Sequence, residues 1–292
     1  MLFRSGLLKE KAKEMIVLRE SGSPADGSAQ ADHVLEGNYF VPHVANAPME
    51  TSAAVARWDG GNLIVWSGDR SPFGVRDELA SALNMSQDNI RVIAPEVGGS
   101  FGTKGTVEVA HEAAVLAKAA GRPVRVVHSR AEEFMWGTVR PAAFYEIRSG
   151  FNNDGKIVAW EYTGYHTGDR PQRGQRGADT PYNTPNVRIA VADSASPLRT
   201  GSYRSLGCAS NHFAREIHMD EIAAALKMDP VEFRLLNLSH PRLSRVLQQT
   251  AERFGWETKR DDSSIGIGVA IGYDAGSFVA ECAEVTVQRR NV

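Results

Sequence analysis

The stretch "IRVIAPEVGGSFGTKGTVEVAHEAAVLAKAAGRPVRVV", residues 90–127, runs from β-branched residues through a Gly-rich turn into a row of helix formers and a second β-branched run. Short apolar β-branched runs predict strands, and the alanine-rich row that ends at Gly121 and Pro123 predicts a helix. The segment is therefore a predicted strand–loop–helix–strand unit. Its Gly-rich turn, "PEVGGSFGTKGT" at residues 95–106, lies where the strand meets the helix.

The surrounding sequence predicts an α+β (mixed α/β) fold, with mixed sheets flanked by helices. Turn signals at Asp59-Gly60-Gly61 and Asn153-Asp154-Gly155 predict two hairpins. Periodicity and caps predict further strands at 33–42, 266–273 and 277–287 and helices at 73–85, 211–226, 230–237 and 241–254, with Phe73 or Val75 on the apolar side of the first. Two polar stretches, 20–32 and 169–186, read as loops.

The composition excludes several classes of protein. The chain has 292 residues, is 42% hydrophobic and carries a net charge of −2, which predicts a soluble globular protein without a nucleic-acid partner. The two cysteines, Cys208 and Cys282, are far apart and form no CxxC pair, so we expect both to be reduced core residues. No apolar run has the length of a membrane span and the first residues lack a signal-peptide pattern, so the expected compartment is the cytoplasm.

The Gly-rich turn resembles a phosphate loop but does not fit one. A Walker loop needs Gly directly before Lys, and here Thr103 precedes Lys104; the spacing of a dinucleotide-binding fingerprint is missing as well. The glycines still permit close approach of the backbone, and a helix N-terminus favours negative charge. The turn therefore suits an anion or a metal–oxo group, while a plain strand-to-helix turn remains the alternative.

A second turn repeats this design. In "SPLRTGSYRSLGCASNHFARE", residues 196–216, Gly201 and Gly207 flank Tyr203-Arg204 just before a predicted helix. A guanidinium with its forked donors and a helix N-terminus would face the same place. The alternative is a surface loop with an exposed arginine.

Other groups of polar residues do not match a metal-binding or catalytic motif. His111-Glu112 starts a zincin pattern, but Val115 replaces the second histidine, and Ser100 lacks the frame of a hydrolase elbow. His212 and His218 are six residues apart, on different faces of a helix, and are not expected to bind metal. The acids of "RAEEF" (130–134) and "MDE" (219–221) are expected on solvated faces or in caps.

Taken together, these stretches resemble the molybdenum-binding large subunit of the xanthine dehydrogenase/aldehyde oxidase family. The resemblance runs from about His33 to the end and is closest to the nicotinate dehydrogenase and isoquinoline oxidoreductase branch. The motifs that carry it, in family order, are "VPHVANAPMET" (41–51), "RSPFGVRDELA" (70–80), "VGGSFG" (97–102), "SYR" (202–204), "MDE" (219–221) and "DPVEFRLLNL" (229–238).

The resemblance implies a function and a site. In the family a molybdopterin cofactor, as the cytosine dinucleotide in most bacterial members, carries a molybdenum that transfers a water-derived hydroxyl to an electron-poor aromatic or aldehyde carbon. Its cofactor-binding residues match Gly98, Gly99, Ser100, Phe101 and Gly102 in the first loop and Tyr203, Arg204 and Ser205 in the second. No residue of this chain matches a catalytic role or a metal ligand.

The sequence also departs from the family pattern. The glutamine that reaches the oxo ligand of the metal falls at Arg70, and the third loop glycine is Ser100. The acid that follows the loop lysine in purine-oxidising relatives is Gly105 here, which argues against a purine substrate.

The resemblance further implies an incomplete enzyme. Residues 1–32 are predicted as a partly flexible lead-in segment and 33–292 as the first molybdopterin-binding lobe, with sub-lobes 33–140 and 141–292. Family large subunits are about two to three times as long, and the glutamate base lies in their second lobe. We therefore expect a second-lobe polypeptide or C-terminal part and a two-cluster iron–sulfur small subunit as partners, and no molybdenum in the chain alone. A split subunit, a fragment and a non-catalytic binding module remain open.

Overall fold

The computed structural model describes residues 2–69, 71–105, 107–168, 174–260, 262 and 264–287. Arg70 and residues 169–173 of the predicted loop lie outside the described residues. In chain order the helices and strands are α1 (Leu2–Glu10), β1 (Ile16–Ser21), α2 (Pro24–Gln30), β2 (His33–Val41), β3 (Val44–Ala45), β4 (Ala53–Asp59), β5 (Asn62–Ser67), α3 (Pro72–Leu83), β6 (Ile90–Ile93), α4 (Glu108–Ala120), β7 (Val124–Val127), α5 (Arg130–Trp136), β8 (Val139–Arg140), β9 (Ala143–Phe151), β10 (Ile157–Thr167), β11 (Asn186–Ser194), α6 (Cys208–Leu226), α7 (Pro230–Asn237), α8 (Pro241–Phe254), α9 (Trp256–Lys259), β12 (Gly266–Asp274) and β13 (Ser277–Val285).

The chain divides into two compact units. The first unit consists of Met1–Pro42, Ala142–Ala195 and Ser205–Val292, and the second unit consists of His43–Pro141 and Ser196–Arg204. The chain therefore passes between the units several times. The second unit contains the whole Gly-rich turn.

The first unit is built on a five-stranded sheet in the order β1-β11-β10-β9-β2. β10 and β11 are parallel, and the other neighbours are antiparallel. Trp160, Tyr162 and Ile189 on this sheet belong to the same buried core as Ile222 of α6 and Phe233 of α7. A separate β12–β13 hairpin contributes Val269 and Ile271 to that core.

The second unit is built on a four-stranded sheet in the order β6-β5-β4-β7. β5 and β6 are parallel, since α3 connects them across the sheet. Ala110, Ala113 and Ala114 of α4 are completely buried, because their small side chains let the helix lie close to the strands. This packing fixes the position at which α4 begins, directly after the Gly-rich turn.

The structure confirms the predicted mixed fold and most of its elements. The hairpins turn at the expected glycines, α4 ends at Gly121 in the left-handed conformation, and Asp229 caps α7. Val75 rather than Phe73 faces the core, since Phe73 is 72% exposed. Both cysteines are free thiols, with Cys208 buried and Cys282 partly buried. In the described part of the chain, no helix is long and apolar enough to cross a bilayer.

The prediction of a loop over residues 20–32 is wrong. Residues 24–30 form helix α2, which Ser23 caps by accepting a hydrogen bond from the Asp26 amide. The small polar residues that suggest a loop here serve as an N-cap and as a close-packing surface: a Cβ at Gly27 would lie 2.6 Å from the side-chain nitrogen Nδ2 of Asn186. β1, just before, pairs with β11 in the large sheet.

β11 and the start of α6 also differ from the sequence analysis. No strand is predicted from the sequence over β11, which lies between β1 and β10 with most of its residues buried. α6 begins at Cys208, before the predicted start at residue 211.

Candidate functional site

Residues 98–104, the middle of the Gly-rich turn, are called the glycine loop below. They lie between β6 and α4 in the second unit. Gly99 and Gly102 have φ angles of +93° and +113°, which L-residues with a side chain rarely adopt. Phe101 also has a positive φ, of +53°. Such conformations in a non-glycine residue are costly and concentrate at functional sites.

Hydrogen bonds to Ser100 shape the inside of the glycine loop. Its Oγ accepts hydrogen bonds from the amides of Lys104 at 3.2 Å and Gly102 at 3.4 Å, and its carbonyl accepts one from the Thr103 amide at 3.1 Å. A third glycine at this position would lack that hydroxyl acceptor. Ser100 therefore stabilises the turn that leads into α4.

Glu50 holds both ends of the glycine loop. Its Oε2 accepts a hydrogen bond from the Gly98 amide at 3.0 Å and lies 2.5 Å from the ammonium nitrogen of Lys104. The hydrogen bonds from Lys104 and then from Gly98 hold the pKa of the Glu50 carboxyl below its usual value. The loop is thus closed around a carboxylate that is ionised at neutral pH.

The second predicted loop is fastened to β8 in the same unit. The Gly201 amide donates to the Val139 carbonyl at 2.9 Å, and the Val139 amide donates to the Arg199 carbonyl at 3.0 Å. A Cβ at Gly201 would lie 2.5 Å from the Cβ of Thr138, so glycine is required for this approach. The backbone that leads to Tyr203 is therefore fixed.

The structure brings the two predicted loops together. The side-chain nitrogen of Asn46 donates to the carbonyls of Phe101, at 2.7 Å, and Ser202, at 3.1 Å. A Cβ at Gly102 would lie 2.5 Å from the carbonyl carbon of Ser202 and 3.0 Å from the Tyr203 amide nitrogen. Gly102 is therefore a contact point between the loops as well as a turn residue.

Several donors in these loops have no acceptor in the part of the chain that the structure describes. Among the described residues, none accepts a hydrogen bond from the amides of Gly99, Ser100 or Phe101. The guanidinium of Arg140 lies 5.4 Å from the ring centroid of Tyr203, whereas Arg204 is exposed and pairs with no carboxylate in the described ranges. Three consecutive free amides and a free guanidinium are donors suited to an anionic or oxo-bearing ligand.

Seven of the eight predicted site residues lie in the second unit: Gly98, Gly99, Ser100, Phe101, Gly102, Tyr203 and Arg204. The eighth, Ser205, lies in the first unit, where it has a φ of +72° and its carbonyl accepts a hydrogen bond from the Cys208 amide at 3.0 Å. Their role in binding a cofactor remains a prediction. No role was predicted from the sequence for Asn46 or Glu50, although both lie in the "VPHVANAPMET" motif.

The expectation that the acids of "RAEEF" cover solvated faces is wrong for Glu133. This residue is 6% exposed, and its carboxylate accepts a hydrogen bond from the Ser52 amide at 2.9 Å. Glu132, in contrast, closes the capping box of α5 with Ser129, as a cap prediction requires. Glu133 sits where it can satisfy the amide that precedes β4.

A profile of the molybdopterin cofactor-binding domain family matches residues 8–238, and the chain belongs to this family. Its sequence is 30% identical over 268 residues to a nicotinate dehydrogenase subunit of Pseudomonas putida, covering 86% of this chain and 23% of that protein. It is 31% identical over 264 residues to the molybdenum-binding subunit of an aldehyde oxidoreductase of Escherichia coli, covering 82% of this chain and 36% of the relative.

Solved structures share the fold. Quinoline 2-oxidoreductase from Pseudomonas putida superposes with a TM-score of 0.81 at 24% identity, over 90% of this chain and 38% of that chain. Aldehyde oxidoreductase from Desulfovibrio gigas superposes with a TM-score of 0.76 at 23% identity, over 90% and 32%. The chain thus spans a quarter to two fifths of the length of these similar proteins.

Proposed function

We propose that this chain forms part of the cofactor site of a molybdopterin-dependent oxidoreductase, with residues 33–292 as its first molybdopterin-binding lobe. The observation that carries the proposal is the row of free amides at Gly99, Ser100 and Phe101. It lies on a loop that Gly102 packs against the segment leading to Arg204. Family membership supports the same assignment.

The proposed role of these residues is electrostatic. When bound, the cofactor supplies molybdenum-centred oxygen transfer and two-electron redox chemistry. The amides of Gly99 to Phe101 orient oxygen atoms that carry negative charge, and Arg204, on the second loop, adds a cation. Because Glu50 and Asn46 hold the backbone in place, the donors need no rearrangement to meet such a ligand.

The proposed reaction is hydroxylation of an aldehyde or an N-heteroaromatic carbon. Relatives named for nicotinate, isoquinoline and aldehyde oxidation support this class of substrate. We propose the cytosine dinucleotide as the form of the cofactor, a second-lobe polypeptide segment as the source of the general base, and a two-cluster iron–sulfur subunit as the electron acceptor. Co-purification of such a subunit with the affinity-tagged protein would support the last assignment.

Cofactor analysis tests the proposal. The complete protein that contains this chain is purified, with whatever subunits accompany it, from a host that makes molybdenum cofactor. Mass spectrometry should find stoichiometric molybdenum, and acid hydrolysis should release cytidine monophosphate. Folded protein without molybdenum or pterin would instead identify a binding module that uses the same scaffold, and would refute the proposed function.

A further inference from the structure

One carboxylate oxygen joins the two ends of the glycine loop. Glu50 Oε2 accepts from the Gly98 amide at 3.0 Å and from the Lys104 ammonium at 2.5 Å. The Glu50 amide returns a hydrogen bond to the Gly98 carbonyl at 3.1 Å. Residues 98 and 104, the first and last of the loop, are therefore held by the same atom.

The two partners differ in their access to water. The Lys104 side chain is 4% exposed, whereas the Glu50 side chain is 43% exposed. Lys104 lines a cavity of about 10 Å³ together with Asp69, Ser52 and Ser67, which leaves room for one water at most. Little water can reach the ammonium in this space, so loss of the Glu50 carboxylate would remove the charge that contacts Lys104 and leave Asp69 as the remaining acid of the cavity lining.

The loop also depends on Lys104 for its inner hydrogen bonds. The Lys104 amide donates to Ser100 Oγ, and the Thr103 amide donates to the Ser100 carbonyl. A displacement of Lys104 would break these bonds and let the amides of residues 99–101 turn away. The position of Lys104 at the end of the loop therefore determines the direction in which the free amides at its centre point.

We propose that Glu50 and Lys104 are positioning residues, whose ion pair fixes the glycine loop so that the amides of Gly99, Ser100 and Phe101 present a preformed cradle to the cofactor. This inference rests on the proposed function for the identity of the ligand. The positioning itself concerns only residues of this chain. Neither Glu50 nor Lys104 is one of the free donors that would contact the cofactor.

Residue-resolved hydrogen exchange on the complete protein tests the positioning. Glu50→Gln keeps an acceptor for Gly98 but removes the charge opposite Lys104, so the amides of Thr103 and Lys104 should exchange about tenfold or more faster. The double variant Glu50→Gln with Lys104→Met removes both charges and should return exchange to within about threefold of the wild type. Glu36→Gln, which neutralises a carboxylate of an exposed ion pair, is the matched control.

Molybdenum content then separates positioning from a purely structural role. The Glu50→Gln protein should lose molybdenum faster on gel filtration than the Glu36→Gln control. Exchange at the control level in Glu50→Gln, or faster exchange with full retention of molybdenum, would overturn the inference. If the wild-type protein holds no molybdenum, the proposed function fails, but the exchange measurement still decides whether the ion pair fixes the loop.

Discussion

The side-chain nitrogen of Asn46 lies 3.1 Å from the carbonyl oxygen of Ser202 and donates a hydrogen bond to it. The same nitrogen donates to the Phe101 carbonyl at 2.7 Å. A single amide therefore ties together two loops that are separated by about a hundred residues in sequence. Both carbonyls are acceptors, so the side-chain nitrogen, and not its oxygen, must face them.

Replacement of Asn46 should weaken the second unit. Asn46→Ala removes the donor from two backbone carbonyls and should lower the free energy of unfolding by about 1 to 3 kcal/mol, as measured by urea titration. Asn46→Asp should cost at least as much, because a carboxylate oxygen would then face both carbonyls. Asn62→Ala, at an exposed position, is the control. Equal stability of Asn46→Ala and the control would contradict this role.

Gly102 should not accept a side chain. Gly102→Ala adds a Cβ against Ser202 in a conformation with φ of +113° and should destabilise the protein by about 2 kcal/mol or more. At Gly61 a Cβ would meet open space, so Gly61→Ala should stay within about 0.5 kcal/mol of the wild type. Calorimetry of both variants provides the comparison, and a tolerated Gly102→Ala would show that the loops do not approach as described.

Glu216 is the centre of a buried ionic network in the first unit. Its carboxylate accepts hydrogen bonds from Arg215 at 2.9 Å, Arg234 at 3.0 Å and Tyr182 at 3.0 Å. Burial acts to raise the pKa of Glu216, but the charges of Arg215 and Arg234 outweigh it and hold the pKa below its usual value. The carboxylate therefore compensates two buried guanidinium groups.

Neutralising this carboxylate should be strongly destabilising. Glu216→Gln removes the carboxylate that pairs with buried Arg215 and leaves Arg234 with Asp220 alone, so it should cost about 3 to 5 kcal/mol. Tyr182→Phe removes one hydrogen bond and should cost about 1 kcal/mol, which keeps the test informative if the first variant does not fold. Glu252→Gln, on an exposed helix position, should change little. Similar denaturation midpoints for the Glu216 and Glu252 variants would contradict the assignment.

Stability should fall as the pH drops below neutrality. Burial lowers the pKa values of His166 and His212 to about 4 and that of His218 to about 3. An unfolded histidine has a pKa near 6.5. Between about pH 4 and 6.5 the unfolded chain therefore binds more protons than the native protein does. The free energy of unfolding decreases as the pH falls through this range. We expect a loss of about 1 to 2 kcal/mol per histidine between pH 7 and pH 5.

His218 provides the specific check of this pH dependence. Its ring nitrogens lie 2.7 Å from the Tyr39 hydroxyl and 2.8 Å from Ser149 Oγ. His218→Gln should be less stable at pH 7 but should take up about one proton fewer on unfolding, which flattens the curve of unfolding free energy against pH. An unaltered slope in His218→Gln would show that this histidine is not the titrating group.

The sequence predicts those parts of the fold that depend on neighbouring residues. The hairpin at Gly60 and Gly61 and the C-cap at Gly121 follow from local turn and cap chemistry. β11 was not predicted, because a strand between two others is buried on both faces and loses the alternation that marks a half-exposed strand. The composition of α2 indicates a loop, because Ser, Gly and Pro favour turns and close packing alike.

The candidate site was predictable to a similar extent. Glycines with positive φ leave a clear mark in sequence, which is why the glycine loop was found. Glu50 lies 48 residues before its hydrogen-bond partner Gly98, and a single acid at that distance has no periodic or spacing signature. The burial of Glu133 has no local signature either, since its partner Ser52 comes from another part of the second unit.

Molybdenum content of an Arg204 variant tests the central claim most directly. Arg204 is exposed and pairs with no carboxylate in the part of the chain that the structure describes, so Arg204→Ala should fold normally, as should the exposed control Arg57→Ala. The complete protein and both variants are purified in parallel from a host that makes the cofactor. We expect stoichiometric molybdenum in the wild type and in Arg57→Ala, and about a tenfold lower content in Arg204→Ala. Full molybdenum in Arg204→Ala, or none in the wild type, would contradict the account.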